Sequence, residues 1–253
     1  MSRFQNRNSY QGVLQILQFN SDKYLAALAG ILTTALVWPL LPLTGRVLLP
    51  LAVAPALFWM VSSLMVSHYI YDRFPIYDFR QIACLLARAP HRWINIHSGW
   101  DQTSERLDEV FPGSSGQVVD IFDVHSMTES SIRRARRINQ NAISAKSACH
   151  DALPFNAESF DAAFSIFAAH ELRRHEQRVR LFREIARVLI PCGEFVLMEH
   201  QRDWWNFLAF GPGFLHFFSQ RAWRTAALEA GLNLQSELAM TPFVHVYIFR
   251  RNS

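Results

Sequence analysis

The chain has 253 residues, half of them hydrophobic, which is room for one α/β domain and an additional apolar part. A formal net charge of +4 is modest, and no basic array interleaved with aromatics runs through the sequence, so nucleic acid is not an expected partner. Cys84, Cys149 and Cys192 are odd in number and lack any CxxC spacing. That argues against a disulfide framework or a zinc site and suits a reducing compartment.

Residues 10–19 carry Val13, Leu14, Ile16, Leu17 and Phe19 at helical spacing. They predict a short amphipathic helix that serves either a membrane surface or a packing arm. Residues 24–41 and 47–66 follow as two apolar runs with no Asp, Glu, Lys or Arg inside either. Each would span about 30 Å as a helix, the thickness of a bilayer core. Thr44-Gly45-Arg46 makes the turn between them, and Trp38 and residues 68–71 sit where interfacial side chains are usual. The expectation is a transmembrane helical hairpin, with two buried core helices or a monotopic hairpin as the alternatives. Pro39, Pro42, Pro50 and Pro55 are better tolerated in spanning helices than in soluble ones. The late start of the first run and the absence of a small-x-small site at its end argue against a cleaved signal peptide. Arg3, Arg7 and Lys23 flank one end and Arg73, Arg80, Arg88 and Arg92 the other, against Arg46 alone in the turn. The positive-inside rule then puts both termini on the cytoplasmic side of an inner membrane.

A linker helix is expected over 79–88, with Phe79, Ile82, Leu85 and Leu86 on one side and Pro90 as its end. Residues 93–97 read as a first strand, followed by Ser98-Gly99-Trp100, and Thr103 as the start of a helix. Residues 117–123 read as a second strand bearing Asp120 and Asp123, which would lie on opposite faces. A basic helix at 131–137 and a third strand at 145–149 come next. Residues 160–167 are a short apolar run suited to a buried parallel strand. From 176 to 189 the positions Val179, Leu181, Phe182, Ile185, Val188 and Leu189 recur near a period of 3.6, an amphipathic helix stopped by Pro191 and Gly193. Residues 195–198 form the next strand, so this stretch is a βαβ unit whose ligands belong at the carboxyl ends of its strands. Seven aromatics crowd residues 204–218 around Gly211-Pro212-Gly213. A helix at 223–230 and period-2 strands at 232–235 and 243–249 close the chain as an antiparallel hairpin.

Three motifs in series carry a family resemblance: Asp151-Ala152 before Leu153-Pro154-Phe155, Ser159-Phe160-Asp161 opening a strand, and Arg187-Val188-Leu189-Ile190-Pro191-Cys192-Gly193 before the next. Residues 92–250 resemble a class I S-adenosylmethionine (SAM)-dependent methyltransferase of the small-molecule or lipid-modifying type. The resemblance implies a Rossmann-like, doubly wound, mostly parallel sheet with a closing antiparallel hairpin, preceded here by the α-helical transmembrane hairpin. The expected plan is an arm at 1–23, the hairpin at 24–71, the linker at 72–91 and the methyltransferase-like domain at 92–253.

The same resemblance implies SAM as cofactor, held over His97, Ser98 and Gly99. Asp123 is the first choice and Asp120 the second for the ribose hydroxyls; Asp151 and Ala152 would meet the adenine, and Phe167 would pass near the methionine part. His170 and His200 are candidate catalytic bases, since imidazole titrates near neutrality. Glu171, Glu199, Trp204 and Phe210 are candidates for the acceptor site. A hydrophobic small-molecule or lipid-like acceptor, reached from the membrane and methylated on oxygen, is the preferred reading. The alternative from another class is a membrane scaffold with a methyltransferase fold whose loop at 97–100 holds no SAM.

Overall fold

A computed structural model describes residues 9–138 and 145–252; Arg3 and Arg7 of the basic flank lie outside the described residues. The chain divides into two compact units, Met1–Pro75 with Trp204–Gly213, and Ile76–Asp203 with Phe214–Ser253.

In the first unit α1 (Gln11–Phe19), α2 (Ser21–Val37) and α3 (Leu43–His68) follow one another, with a 3-10 turn at Trp38–Leu40. Pro50 and Pro55 lie inside α3, and a single π-helical turn, Tyr69–Arg73, continues it. The amides of Gly12 and Val13 at the start of α1 donate to the Asp72 carboxylate at 2.6 and 3.2 Å. That carboxylate satisfies helix-end donors that have no partner within the helix. Tyr10 stacks on His68 with ring centroids 4.9 Å apart, and the His68 ring nitrogen Nδ1 is 3.0 Å from Asp72. The amphipathic arm is therefore pinned to the far end of α3. At the turn between α2 and α3, Arg46 donates to the carbonyl of Pro39 at 2.8 Å. The most apolar eighteen-residue stretch of each helix contains no buried residue, and Leu36 and Leu40 are 75% and 81% exposed.

The aromatic segment after residue 203 joins this unit and not the sheet. Its helix, given its label below in chain order, packs on α3 through Trp59, which meets Phe207 edge-to-face at 5.4 Å. Ser62 donates to the carbonyl of Leu208 at 3.2 Å. Gly211, at φ +55°, lies so close to the Trp59 ring that a Cβ there would come within 2.5 Å of it.

The second unit is built on a seven-stranded sheet of order β3-β2-β1-β4-β5-β7-β6. In chain order its elements are α4 (Arg80–Ala83), β1 (Arg92–His97), α5 (Ser104–Val110), β2 (Ser115–Asp120), α6 (Ser130–Ile138), β3 (Lys146–Ser147) and β4 (Phe160–Ile166). They continue with α7 (His175–Val188), β5 (Leu189–His200), α8 (Trp204–Phe210, in the first unit), α9 (Gln220–Glu229), β6 (Leu232–Thr241) and β7 (Val244–Arg251). The pairs β1–β2, β2–β3, β1–β4 and β4–β5 are parallel, and β7 runs antiparallel between β5 and β6. The strand order reverses between β1 and β4, the switch point where open α/β sheets bind ligands. The apolar stripe of α7 explains its position: Phe182 meets Phe195 of β5 at 5.0 Å and Trp223 of α9 at 6.3 Å, all three buried.

Three expected elements differ. The linker helix is a single turn, α4, because the chain folds back after Ala83 to bury Phe79, Ile82 and Leu86 together. The second strand ends at Asp120, so Asp123 lies beyond it in the following turn, not on the opposite face of a strand. Pairing of β5 with β4 begins at Leu189, and Pro191 to Gly193 form an irregularity within the strand, with the register passing from Leu189 to Glu194. Cys192 there adopts φ +61°, and a Cβ on Gly193 would meet the Ile190 carbonyl at 2.8 Å. The helix end, bulge and strand start are compressed into one turn that needs glycine.

Candidate cofactor and acceptor site

At the carboxyl end of β1, His97 and Ser98 are buried, and Gly99 turns the chain with φ +107°, a region that suits only glycine well. The Gly99 amide donates to His97 Nδ1 at 3.1 Å, which puts the ring proton on Nε2. Burial pushes the His97 pKa down, against the pull of Asp101 and Asp120, and keeps the ring neutral. The side chain of Asp101 caps the helix that follows, accepting the amides of Thr103 and Ser104 at 2.9 and 3.0 Å. Asn95 reaches the same cluster, donating to Thr103 Oγ1 at 2.8 Å and Ser104 Oγ at 2.9 Å. An aspartate of the chain itself thus takes the first amides at the start of α5.

Asp120 ends β2 beside this loop. Its Oδ1 accepts the Phe122 amide at 3.0 Å, and its Oδ2 pairs with the Arg136 guanidinium of α6. Arg136 also lies over the Phe122 ring at 4.2 Å and against Gly99, where an added Cβ would sit 2.7 Å from Nη1. The basic pattern of this helix does not show the reach of Arg136 to Asp120, which is a tertiary fact. Asp123 is partly exposed and accepts the His125 amide at 2.9 Å, the main reason its pKa lies below the usual value.

Asp151 and Ala152 form an exposed turn closed by the Ala152 amide on the Cys149 carbonyl, and Asp151 pairs with Arg180 at 3.5 Å. The Leu-Pro-Phe segment after it is latched to α7. Glu184 accepts the Leu153 amide at 2.8 Å, while Arg187 donates to the carbonyls of Leu153 and Phe155 at 3.1 and 2.9 Å. Glu184 was not singled out from the sequence, and Arg187 entered only as the first residue of the motif that precedes β5.

The ends of β4 and β5 bring the acceptor-site candidates together. Phe167 has φ +51°, rare for an aromatic residue, and its ring lies 5.3 Å from that of His200. His200 is buried, stacks on Phe217 at 4.7 Å, and donates from Nδ1 to the Phe243 carbonyl at 3.1 Å. His170 occupies a 3-10 turn, Ala169–Glu171. Its Nδ1 donates to Glu199 at 2.7 Å, and Glu199 also accepts the His170 amide at 3.2 Å. Glu171 approaches His170 Nε2 at 3.5 Å and His216 Nε2 at 3.9 Å. Burial disfavours charge on His170, but the Glu199 carboxylate outweighs it, with help from Glu171, and raises the pKa to about 10. Burial likewise opposes ionisation of Glu171, and hydrogen bonds from His170 and His216 overcome it and hold the carboxyl far below the usual range. The pairing with Glu199 thus favours the protonated ring over the neutral form that a general base needs. His216 was not anticipated, because no local pattern links it to His170. Trp204 and Phe210 belong to the hairpin's unit, because the apolar face of α8 finds its complement on α3.

Polar atoms left over after β1 fit a polar ligand. His97 Nε2, Asn95 Oδ1 and Asp101 Oδ2 are buried with no hydrogen-bond partner among the described residues. Such groups are costly unless something pairs with them, and they offer one donor and two acceptors to a zwitterionic molecule such as SAM.

Residues 98–197 match a family model described as a methyltransferase domain. Human probable tRNA methyltransferase 9B is 42% identical over 45 residues, which is 18% of this chain and 10% of that protein's length. A SAM-dependent methyltransferase from Methanosarcina mazei superposes with a TM-score of 0.50 at 17% identity, covering 71% of this chain and 98% of that one. Human N-acetylserotonin methyltransferase, solved in complex with SAM, gives a TM-score of 0.52 at 11% identity over 74% of this chain and 55% of its own. At these identities the structural likeness is one of fold. The family match, the sheet order and the glycine turn at its switch point agree: residues 98–197 match a methyltransferase domain, and the sheet they belong to has the fold of SAM-dependent methyltransferases.

Proposed function

We propose that this chain is a SAM-dependent methyltransferase anchored in the cytoplasmic membrane, with its catalytic domain on the cytoplasmic side, and that it methylates an oxygen of a hydrophobic small-molecule or lipid-like acceptor. The observation that carries the membrane reading is the wholly unburied apolar surface of α2 and α3. Covering one exposed leucine stabilises by about 1.5–3 kcal/mol, so a row of them calls for lipid. In the cofactor site we assign the ribose hydroxyls to Asp120 in preference to Asp123, because Asp120 ends β2 beside His97 and Gly99. Gly99 would let the backbone approach the ligand, with His97 and Ser98 beside it; Asp151 and Ala152 would meet the adenine and Phe167 the methionine end.

SAM supplies an electrophilic methyl group on a sulfonium, and the chain's part is orientation, exclusion of water and custody of one proton. His200 is assigned as proton acceptor, since its Nδ1–H is committed to Phe243 and Nε2 keeps the lone pair. His170, Glu171 and Glu199 would orient the acceptor as a charged cluster. A bound SAM would supply the methyl group to the acceptor oxygen, and His200 would take the hydroxyl proton.

A tRNA acceptor is the second reading, favoured by the 45-residue match to the human relative. Full-length protein in detergent would be given methyl-labelled SAM together with a membrane lipid extract or total tRNA. Label in the organic phase supports the proposal, and label in tRNA overturns the acceptor class. Failure to bind SAM in a calorimetric titration of folded protein would favour the scaffold.

A further inference from the structure

We propose that His170, Glu171 and His216 form a binding site for one divalent transition-metal ion of the zinc type. Their ligand atoms all lie within 4.8 Å of one another, with Glu171 Oε1 at 3.5 Å from His170 Nε2 and 3.9 Å from His216 Nε2. Metal–ligand bonds of about 2.0–2.2 Å put tetrahedral ligands roughly 3.3 Å apart, so small side-chain movements close the set.

Two further features point to a ligand. Glu199, 1% exposed, accepts the Nδ1 proton of His170 at 2.7 Å and so fixes which ring nitrogen faces Glu171 and His216. Histidines that bind metals characteristically donate their other ring N–H to a carboxylate in this way. The segment bearing His216 is also held in place by the chain itself. Arg173 donates to the carbonyls of His170 and His216, and Arg202 to those of Leu215 and Phe217 at 2.6 Å each. The two rings meet edge-to-face with centroids 5.2 Å apart. The ligands are thus preorganised from two distant stretches of sequence by two arginine clamps.

Charge and ligand type select the ion. Glu171 and Glu199 place two carboxylates in a largely buried pocket, and a divalent cation offsets the charge of both. Two imidazoles out of three ligands favour zinc, cobalt or nickel over magnesium or calcium. Three protein ligands leave a coordination position for water or for an oxygen of a bound molecule. The site does not depend on the acceptor class proposed above. Cysteine spacing gave no hint of it, because none of its ligands is a cysteine.

The test is a titration of untagged, full-length, chelator-treated protein in detergent with Co²⁺, read by visible absorption. The expected result is one equivalent bound with the intense bands of a four- or five-coordinate N/O site. Affinity should fall at least tenfold in His216→Ala and in Glu171→Gln, and 10- to 100-fold in Glu199→Gln. A Cys149→Ser, His216→Cys variant should bind Co²⁺ with a new thiolate-to-metal charge-transfer band, which reports ligation directly even if the alanine variant folds poorly. A charge-transfer band in the wild type would put the ion at the exposed Cys149, His150 and Asp151 group instead and overturn the proposal. So would the absence of saturable binding, or affinities that the substitutions leave unchanged.

Discussion

His170 shows how far a buried pair can move one residue's chemistry. Its folded pKa of about 10 lies above the value of 6.5 for free imidazole. The stability it contributes is therefore complete below about pH 6.5 and is lost as pH rises through about 10. Between pH 8 and 10.5 the urea midpoint of the wild type should fall more than that of His170→Asn, and matched slopes would contradict the pairing. Removing the histidine leaves Glu199 buried without its partner, a loss of about 3–5 kcal/mol. Arg136 is the second telling residue, since it takes the carboxylate that the ribose hydroxyls would need. Arg136→Ala should tighten SAM binding about fivefold in calorimetry, corresponding to about 1 kcal/mol for a partly exposed ion pair. Weaker binding in that variant would show that Arg136 holds the cofactor and does not compete with it. Gly99→Val forces a β-branched residue to φ +107° against the Arg136 side chain, and SAM affinity should fall at least a hundredfold while the circular dichroism of the domain stays native.

Among the elements, α7 does more than cover the sheet. Through Glu184 and Arg187 it holds residues 153–155, the segment that leads from β3 into β4. Arg187→Ala leaves two carbonyls and the Glu184 carboxylate short of a donor, a cost of about 1.5–3 kcal/mol. A urea midpoint within error of the wild type would show that water replaces the guanidinium without loss. The irregular start of β5 is the other element-level device. The Leu-x-Pro-x-Gly pattern reads from sequence as a helix stop, and its spatial meaning is a bulge that lets pairing begin at Leu189 and resume at Glu194.

In the whole molecule, two kinds of surface demand two kinds of solvent. The sheet unit buries its apolar residues in its own core, while α2 and α3 turn theirs outward. Full-length protein should stay with the membrane fraction through alkaline carbonate washing. Deleting residues 1–75 removes α3 and leaves Phe207 on α8 without Trp59. The truncated chain should then leave the carbonate-resistant fraction yet self-associate, measured by size-exclusion chromatography, until Trp204, Trp205 and Phe207 are replaced by polar residues.

The apolar hairpin, the βαβ unit and the closing antiparallel pair were legible in the sequence, because each is a matter of local period, run length and turn residues, and the fold class followed from the family resemblance. The amphipathic stripe of α7 and the unbroken apolar run of β4 could be read without knowing what they face. What only the tertiary structure decided are the meetings of distant residues. Arg136 reaches Asp120, Asp101 takes the amides of α5, Arg187 grips residues 153 and 155, and His216 joins His170. The aromatic segment at 204–218 shows no partner in its own pattern, and Trp204–Gly213 of it joins the unit of α3 while Phe214 onward stays with the sheet. Periodicity states that a face is apolar or a carboxylate sits at a strand's end; which group comes to meet it depends on the path of the whole chain through space.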